Sequence, residues 1–368
     1  MRASRPQPTW RIALKAIAVF VLVILAFFGF LVFVSAAGSF RPLLLVVSVA
    51  LVLGLLWAGV VRLFTRGRPG RPLWGLWLAA SAVWTLLLLA LLAVPLFYAT
   101  TINTTRALAM PRITLSDGEK EVVFQGMIHI GSGSFYEAVV FDMARAADEE
   151  YVLLFEGVRR GTAANTERMN AILGTQGLNL NQIYDAFAQT CGLTFQNEYF
   201  IIYADDMAEN PDQFVNADVS VDDMMAEWDR LLAKNPEFAV QVAAAQPEDE
   251  IDNRLDTTLS FIAGLTPGQR RLLELGCRTS RNRQSGQLGG AKAPFKDQVA
   301  LAYRNRHLAD AILAQTADRV YVTYGYDHFR GVFKLLQEAN PAWEIVDVRW
   351  RQAIDSETEI EREVLLEE

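Results

Sequence analysis

Three histidines occur in the 368-residue chain, His129, His307 and His328. Two of them, His129 and His328, stand in the same frame, Gly-x-x-His, as GMIH and GYDH. Each frame closes an apolar run of strand character, Glu121 to Ile130 in the first case and Arg319 to Tyr324 in the second. A third such run, Tyr151 to Phe155, ends on Glu156 and Gly157. Parallel strands put their carboxyl ends on one edge of a sheet, where open α/β sheets bind ligands. Two imidazoles and a carboxylate then converge. With a metal, these donors suit Zn²⁺, Mn²⁺, Co²⁺ or Fe²⁺, and three protein ligands leave a place for water. The pKa of that water falls from about 15.7 towards about 7. Without a metal, the same groups serve as general acids and bases. The residues leave both schemes open. Gly126 and Gly325 have no Cβ and would admit backbone or substrate closely. His307 lies in a charged helical stretch and is given no role.

These residues need elements to position them. After the first strand and a GSGS turn, Phe135, Val139, Met143 and Ala146 recur at helical spacing, predicting a helix from Phe135 to Ala147. Strand, helix, strand is the unit that sets two parallel strands side by side. Residues from about 160 to 295 read as a helical insertion. Its helix candidates are Asn170 to Leu173, Ile183 to Ala188, Val221 to Leu232 and Ile251 to Ala263. A short strand is expected near Tyr199 to Tyr203, and a glycine-rich basic loop at 279–294. A helix from Lys296 to Thr316 then carries Tyr303, Arg304 and Asn305. The second motif follows, then a helix from Phe329 to Ala339, a last strand from Trp343 to Val348, and an acidic tail at 353–368.

The front of the chain is physically different. Residues 1–110 hold ten of the 34 basic residues and no acidic one, so all 42 acidic residues lie beyond them. Three uncharged stretches predict transmembrane helices at about 16–38, 42–62 and 73–98. Arg2, Arg5, Arg11 and Lys15 precede the first, and Arg62, Arg66, Arg68 and Arg71 separate the second from the third, against Arg41 alone in the other link. Positive charge marks the cytoplasmic side. The expectation is a multi-pass protein of a bacterial-type inner membrane with its N-terminus in the cytoplasm. Residues 111–352 would form an exported α/β (α+β) domain: a mixed sheet with βαβ units, two Gly-x-x-His strand ends and the helical insertion. Its formal charge of −18, tail included, disfavours nucleic acid. Cys191 and Cys277 fall in the exported part, where a disulfide can form, but their spacing does not decide it.

VVFQGMIHIGS, FEG, YRNRHLADAI and VYVTYGYDHFRGVFKLL, in that order, resemble the TraB/PrgY and Tiki superfamily. LTFQNEYFIIY and NADVSVDDM are similar to its middle segment, a glutamine-containing strand followed by an Ala-Asp helix start. The resemblance covers about 118 to 350. It implies a membrane-tethered metal-dependent peptidase using Mn²⁺ or Co²⁺, so that with the donor chemistry the expected cofactor is Mn²⁺, Co²⁺ or Zn²⁺. His129, Glu156 and His328 would be its metal ligands and catalytic centre, supported by Arg304 and Asn305. Arg304 would stabilise an oxyanion or bind a substrate carboxylate, and Asn305 would orient its neighbours. The expected partners are a peptide or protein substrate and the lipid bilayer, with a homodimer left open. Two other functions stay open: peptide capture without turnover, as in the pheromone-shutdown members, and a metal-free esterase-like hydrolase. Three spans in front depart from the usual single tether.

Overall fold

The computed structural model describes residues 41–64, 72–173, 180–244, 260–284 and 294–354, together with residues 21 and 23. The predicted first span (16–38), apart from those two residues, most of the 251–263 helix and the tail from 355 lie outside the described residues. Two compact units form, Met1–Thr105 with Leu265–Thr279, and Arg106–Gly264 with Ser280–Glu368.

The first unit contains α1 (Arg41–Phe64) and α2 (Leu73–Thr105), both long and apolar enough to cross a membrane. They approach through small residues. A Cβ on Gly54 would come within 2.2 Å of Ser81 Oγ and 2.7 Å of its backbone nitrogen. Ala50, Ala58 and Ala80 are buried around them, while Leu44, Leu56, Trp57, Leu91 and Phe97 are exposed. Small residues inward and large apolar ones outward is how helices pack in lipid.

The second unit holds β1 (Ala109–Ser116), β2 (Glu121–Met127), β3 (Ile130–Gly131), β4 (Val152–Phe155), β5 (Thr194–Phe195), β6 (Phe214–Asn216), β7 (Arg319–Gly325) and β8 (Glu344–Gln352). Six of them make one mixed sheet in the order β6-β4-β7-β2-β1-β8; β3 and β5 pair separately. The four strands β6, β4, β7 and β2 run parallel, and β1 and β8 close one side antiparallel. The longer helices that follow are α3 (Gly133–Asp148), α4 (Ala163–Leu173), α5 (Leu180–Cys191), α6 (Val221–Lys234), α7 (Pro236–Ala244), α8 (Pro267–Gln284, whose residues up to Thr279 belong to the first unit), α9 (Arg304–Ala314) and α10 (Phe329–Ala339).

The central strands read as unbroken apolar runs because both faces are covered. Val123, Leu153 and Tyr321 pack on Phe135, Val139 and Met143 of α3. On the other face, Val122, Phe124, Leu154 and Val322 meet Leu308, Ile312, Val332 and Leu336 of α9 and α10. Each such large side chain contributes about 1.5–3 kcal/mol by leaving water.

Several expectations need correction. The strand bearing Glu156 is not beside the strand of the first motif, because β7 lies between them. The strand with Val320, Tyr321, Val322 and Tyr324 all buried takes the place paired on both sides. β1 goes unread in the sequence because Pro111 interrupts its pattern, yet Met110, Ile113 and Leu115 are buried in it. Tyr199 to Tyr203 is helical, and the strand there is β5, just upstream. The presumed loop at 279–294 begins as the last turns of α8; 285–293 lie outside the described residues. Neither Cys191 nor Cys277 carries a free thiol.

Candidate functional site

All four parallel strands end on one edge, and each contributes a polar group there. Asp218 follows β6, Glu156 ends β4, Gly325 and His328 end β7, and His129 lies two residues past β2. In register, Gly126 faces Tyr324 and Met127 faces Gly325 across β2 and β7. Both motifs are therefore brought level on adjacent strands. His129, Glu156, Gly325, His328 and Arg304 line a single cavity of about 410 Å³, together with Tyr184, Gln196, Arg281 and Asp327.

Arg304 and Asn305 open α9 directly after a stretch of π-helix, Gln298–Tyr303. A π-turn adds a residue to a helix and re-aims the side chains that follow, and it is frequent at functional sites. Here it precedes two buried polar residues. Arg304 Nε and Nη2 donate to Asp218 Oδ1 (2.9 Å) and Oδ2 (2.6 Å), and Nη2 also donates to Glu156 Oε1 (2.5 Å). Nη1 donates to the carbonyl of Ala300 at 3.4 Å. The other oxygen of Glu156, Oε2, accepts from the backbone N–H of Gly325 at 2.6 Å. A Cβ at Gly325 would sit 3.2 Å from that oxygen, so glycine keeps the carboxylate close.

Asn305 holds His328. Its Oδ1 accepts from Nδ1–H at 2.7 Å, which leaves Nε2 of the neutral ring with its lone pair. That Nε2 stands 4.0 Å from Glu156 Oε1. The amide of Asn305 lies where a side chain on residue 331 would go: a Cβ at Gly331 would be 2.0 Å from its Nδ2. Tyr324 meets the His328 ring edge-on, with 4.8 Å between centroids.

His129 is held from elsewhere. Pairing of β3 with β5 brings Gln196 alongside, and its backbone N–H donates to the carbonyl of His129 at 3.0 Å. Its side-chain amide meets His129 Nδ1 at 3.0 Å; with the amide N–H turned to the ring, the proton of the neutral imidazole sits on Nε2. Tyr184 of α5 stacks on the imidazole at 4.4 Å. With the amides so oriented, the two histidines carry opposite tautomers, Nε2 being an acceptor on His328 and a donor on His129.

The electrostatics keep both rings neutral. Burial, aided by Arg304, pushes His328 down to about 4. Burial also lowers His129 against the attraction of Glu156. For Glu156 and Asp218 burial works against ionisation, but Arg304 outweighs it and holds both carboxyls below their ordinary values. Burial likewise opposes the charge of Arg304, yet Asp218 and Glu156 raise it further above its normal value.

The donor set suits a divalent cation: an ionised carboxylate, and neutral imidazoles whose Nδ1 atoms are each held by a side-chain amide, as an outer partner fixes the ring of a ligand histidine. His328 presents its lone pair as it stands. His129 presents one when the Gln196 amide turns its oxygen to Nδ1, an exchange that moves no heavy-atom position. Among the described residues, no three His, Cys, Asp or Glu side chains are already gathered as a metal cage.

Of the expected site residues, Gly126 and Asn305 do not line the cavity; Asn305 acts behind it, on His328. Gly126 makes room for Pro111 and Tyr326 rather than for a ligand. Asp218, Gln196, Tyr184, Arg281 and Gly331 carry parts of the site without having been assigned a role from sequence. Asp218 and Gln196 fall in the middle segments of the family resemblance, the signal that could have found them. Comparison with protein-family models, curated protein sequences and solved structures gave no match.

Proposed function

We propose that the cavity is the active site of a hydrolase that cleaves a peptide amide bond, a reading in line with the TraB/Tiki resemblance. One observation carries it: two neutral imidazoles, each held at Nδ1 and with no hydrogen bond at Nε2 among the described residues, share a cavity with an ionised carboxylate. His328 Nε2 accepts the proton of the attacking water and returns it to the leaving amine as the C–N bond breaks. His129, as the Nε2–H tautomer, donates to the carbonyl oxygen as negative charge develops there. Glu156 orients the water and offsets charge gained by His328. Asn305 positions His328. Arg304 is a positioning residue, since its nitrogens are engaged by Asp218, Glu156 and Ala300.

A divalent cation of the Mn²⁺, Co²⁺ or Zn²⁺ type, held by His129, Glu156 and His328, would acidify the water and polarise the carbonyl. In a metal-free scheme the opposed tautomers provide one base and one acid. Chelation separates the two. Peptide cleavage that is lost with chelator and restored by Mn²⁺ or Co²⁺ supports the metal scheme; cleavage that survives supports the other. Unchanged cleavage in a His129→Ala, His328→Ala double variant would sink both. Peptide retained without product by mass spectrometry would mean capture in place of catalysis.

The arginine distribution around the apolar stretches supports three spans with the α/β domain outside the cytoplasm. Labelling of single cysteines introduced at exposed positions of that domain by a membrane-impermeant reagent on intact cells tests the orientation.

A further inference from the structure

Two arginines line the cavity, and they differ in what they face. Arg304 is enclosed by Asp218, Glu156 and the Ala300 carbonyl, so four of its five N–H donors are engaged and two carboxylates already balance its charge. Arg281 is half-buried in the last turn of α8, and among the described residues it makes no ion pair and no hydrogen bond. Its position is nevertheless fixed. The next residue, Asn282, is buried, and its Oδ1 accepts from the backbone N–H of Leu108, another lining residue, at 2.8 Å. Arg283 shares the same helical turn but is exposed and does not line the cavity. A favourable end-of-helix charge would explain either arginine. It does not explain why one of them is held in the cavity without a counter-ion among the described residues.

A guanidinium presents a planar fork that matches a carboxylate or a phosphate. The cavity, at about 410 Å³, falls in the lower part of the range of roughly 300–1,000 Å³ for small-ligand sites. That size suits the end of a peptide better than an extended internal stretch. We propose that Arg281 binds the free carboxylate of the substrate, so that the site acts at the carboxyl-terminal end of a peptide. The proposal rests on the hydrolytic reading of the cavity and adds the substrate class to it.

The test uses the full-length protein in detergent micelles and matched pools of dansyl-tripeptides, prepared as free acids and as carboxyl-terminal amides. The acids are expected to be cleaved with a kcat/KM roughly 10- to 100-fold above the amides, the worth of a charge-assisted contact. Arg281→Gln removes that preference by slowing the acids alone, Arg281→Lys restores part of it, and Arg283→Gln changes neither series. Equal rates for acids and amides in the parent protein, or equal losses for both in Arg281→Gln, overturn the proposal. So does a preference for phosphorylated peptide amides. If nothing is cleaved, fluorescence titration with the same pools still decides. Tighter binding of the acids that disappears in Arg281→Gln upholds the carboxylate site while refuting hydrolysis. Acids and amides binding alike, or not at all, overturn it.

Discussion

The two Gly-x-x-His ends sit on adjacent strands, yet they are built in different ways. The His328 end is assembled from consecutive pieces of chain: β7, the turn after it, α10, and α9 just before. Its ring is 3% exposed, Asn305 holds one side, Tyr324 meets its edge, and Gly331 exists as glycine because Asn305 needs the space. The His129 end is assembled from distant chain. Its imidazole is more exposed, and its stacking and hydrogen-bonding partners, Tyr184 and Gln196, come from the helical insertion. The difference teaches that one half of the site belongs to the fold's core and the other is completed by the insertion. Damage to the first should appear as lost stability, and damage to the second mainly as altered chemistry.

The largest effect expected is at the core of the first half. Arg304→Met leaves Glu156 and Asp218 buried without their counter-ion, and breaking such a set costs about 3–5 kcal/mol. Guanidinium unfolding of the full-length protein in detergent measures it. A loss well under 1 kcal/mol would show that the ion set does not anchor the domain. A second test is pH. The folded His328 titrates at about 4, so below its ordinary pKa of about 6.5 the unfolded chain takes a proton that the folded one refuses. Stability therefore rises with pH between about 4 and 6.5, by at most about 3 kcal/mol from this group. Glu156 and Asp218, held below their ordinary values, add loss of the same sign as pH falls through their folded values. Chelated protein lacking this slope, or His328→Ala retaining it in full, would remove His328 as its source.

Gly331→Ala comes next. Overpacking against Asn305 is expected to destabilise by about 1–3 kcal/mol and to slow turnover more than it alters substrate affinity, because Asn305 must release His328. Gln196→Ala should have the smallest effect on stability, about 1 kcal/mol for one neutral hydrogen bond. It should still shift the pH profile of kcat, since His129 loses the partner that selects its tautomer. If Gln196→Ala instead unfolds the domain, the contrast between the two ends fails.

Much of the first half was legible in the sequence and much of the second was not. The GYDH frame, the Arg-Asn pair and the apolar run of β7 lie within about thirty residues, and their periodicity and turn chemistry are local properties. Glu156 could be read as the end of its strand for the same reason. Gln196 and Tyr184 carried no comparable mark, because a side chain that supports a histidine across 67 residues looks like any other amide or phenol. The proline in β1 hid a strand, and helix propensity could not foretell the π-turn before Arg304. Arg304 itself was visible as a residue of interest, but its use was not. From sequence it could serve an oxyanion or a substrate, and only burial beside two carboxylates makes it a positioning group.

The sequence by itself determined which residue types end the strands, that long apolar stretches precede the α/β domain, and that three groups fit for acid–base or metal chemistry stand at strand ends. Those features follow from the order of residues along the chain. The tertiary structure decided that β7 separates β2 from β4, that Asp218 joins Arg304 and Glu156, that a side-chain amide meets each imidazole at Nδ1, and that Arg281 faces the cavity without a counter-ion among the described residues. These depend on which strands pair and which side chains share a buried space, and local spacing does not encode that choice.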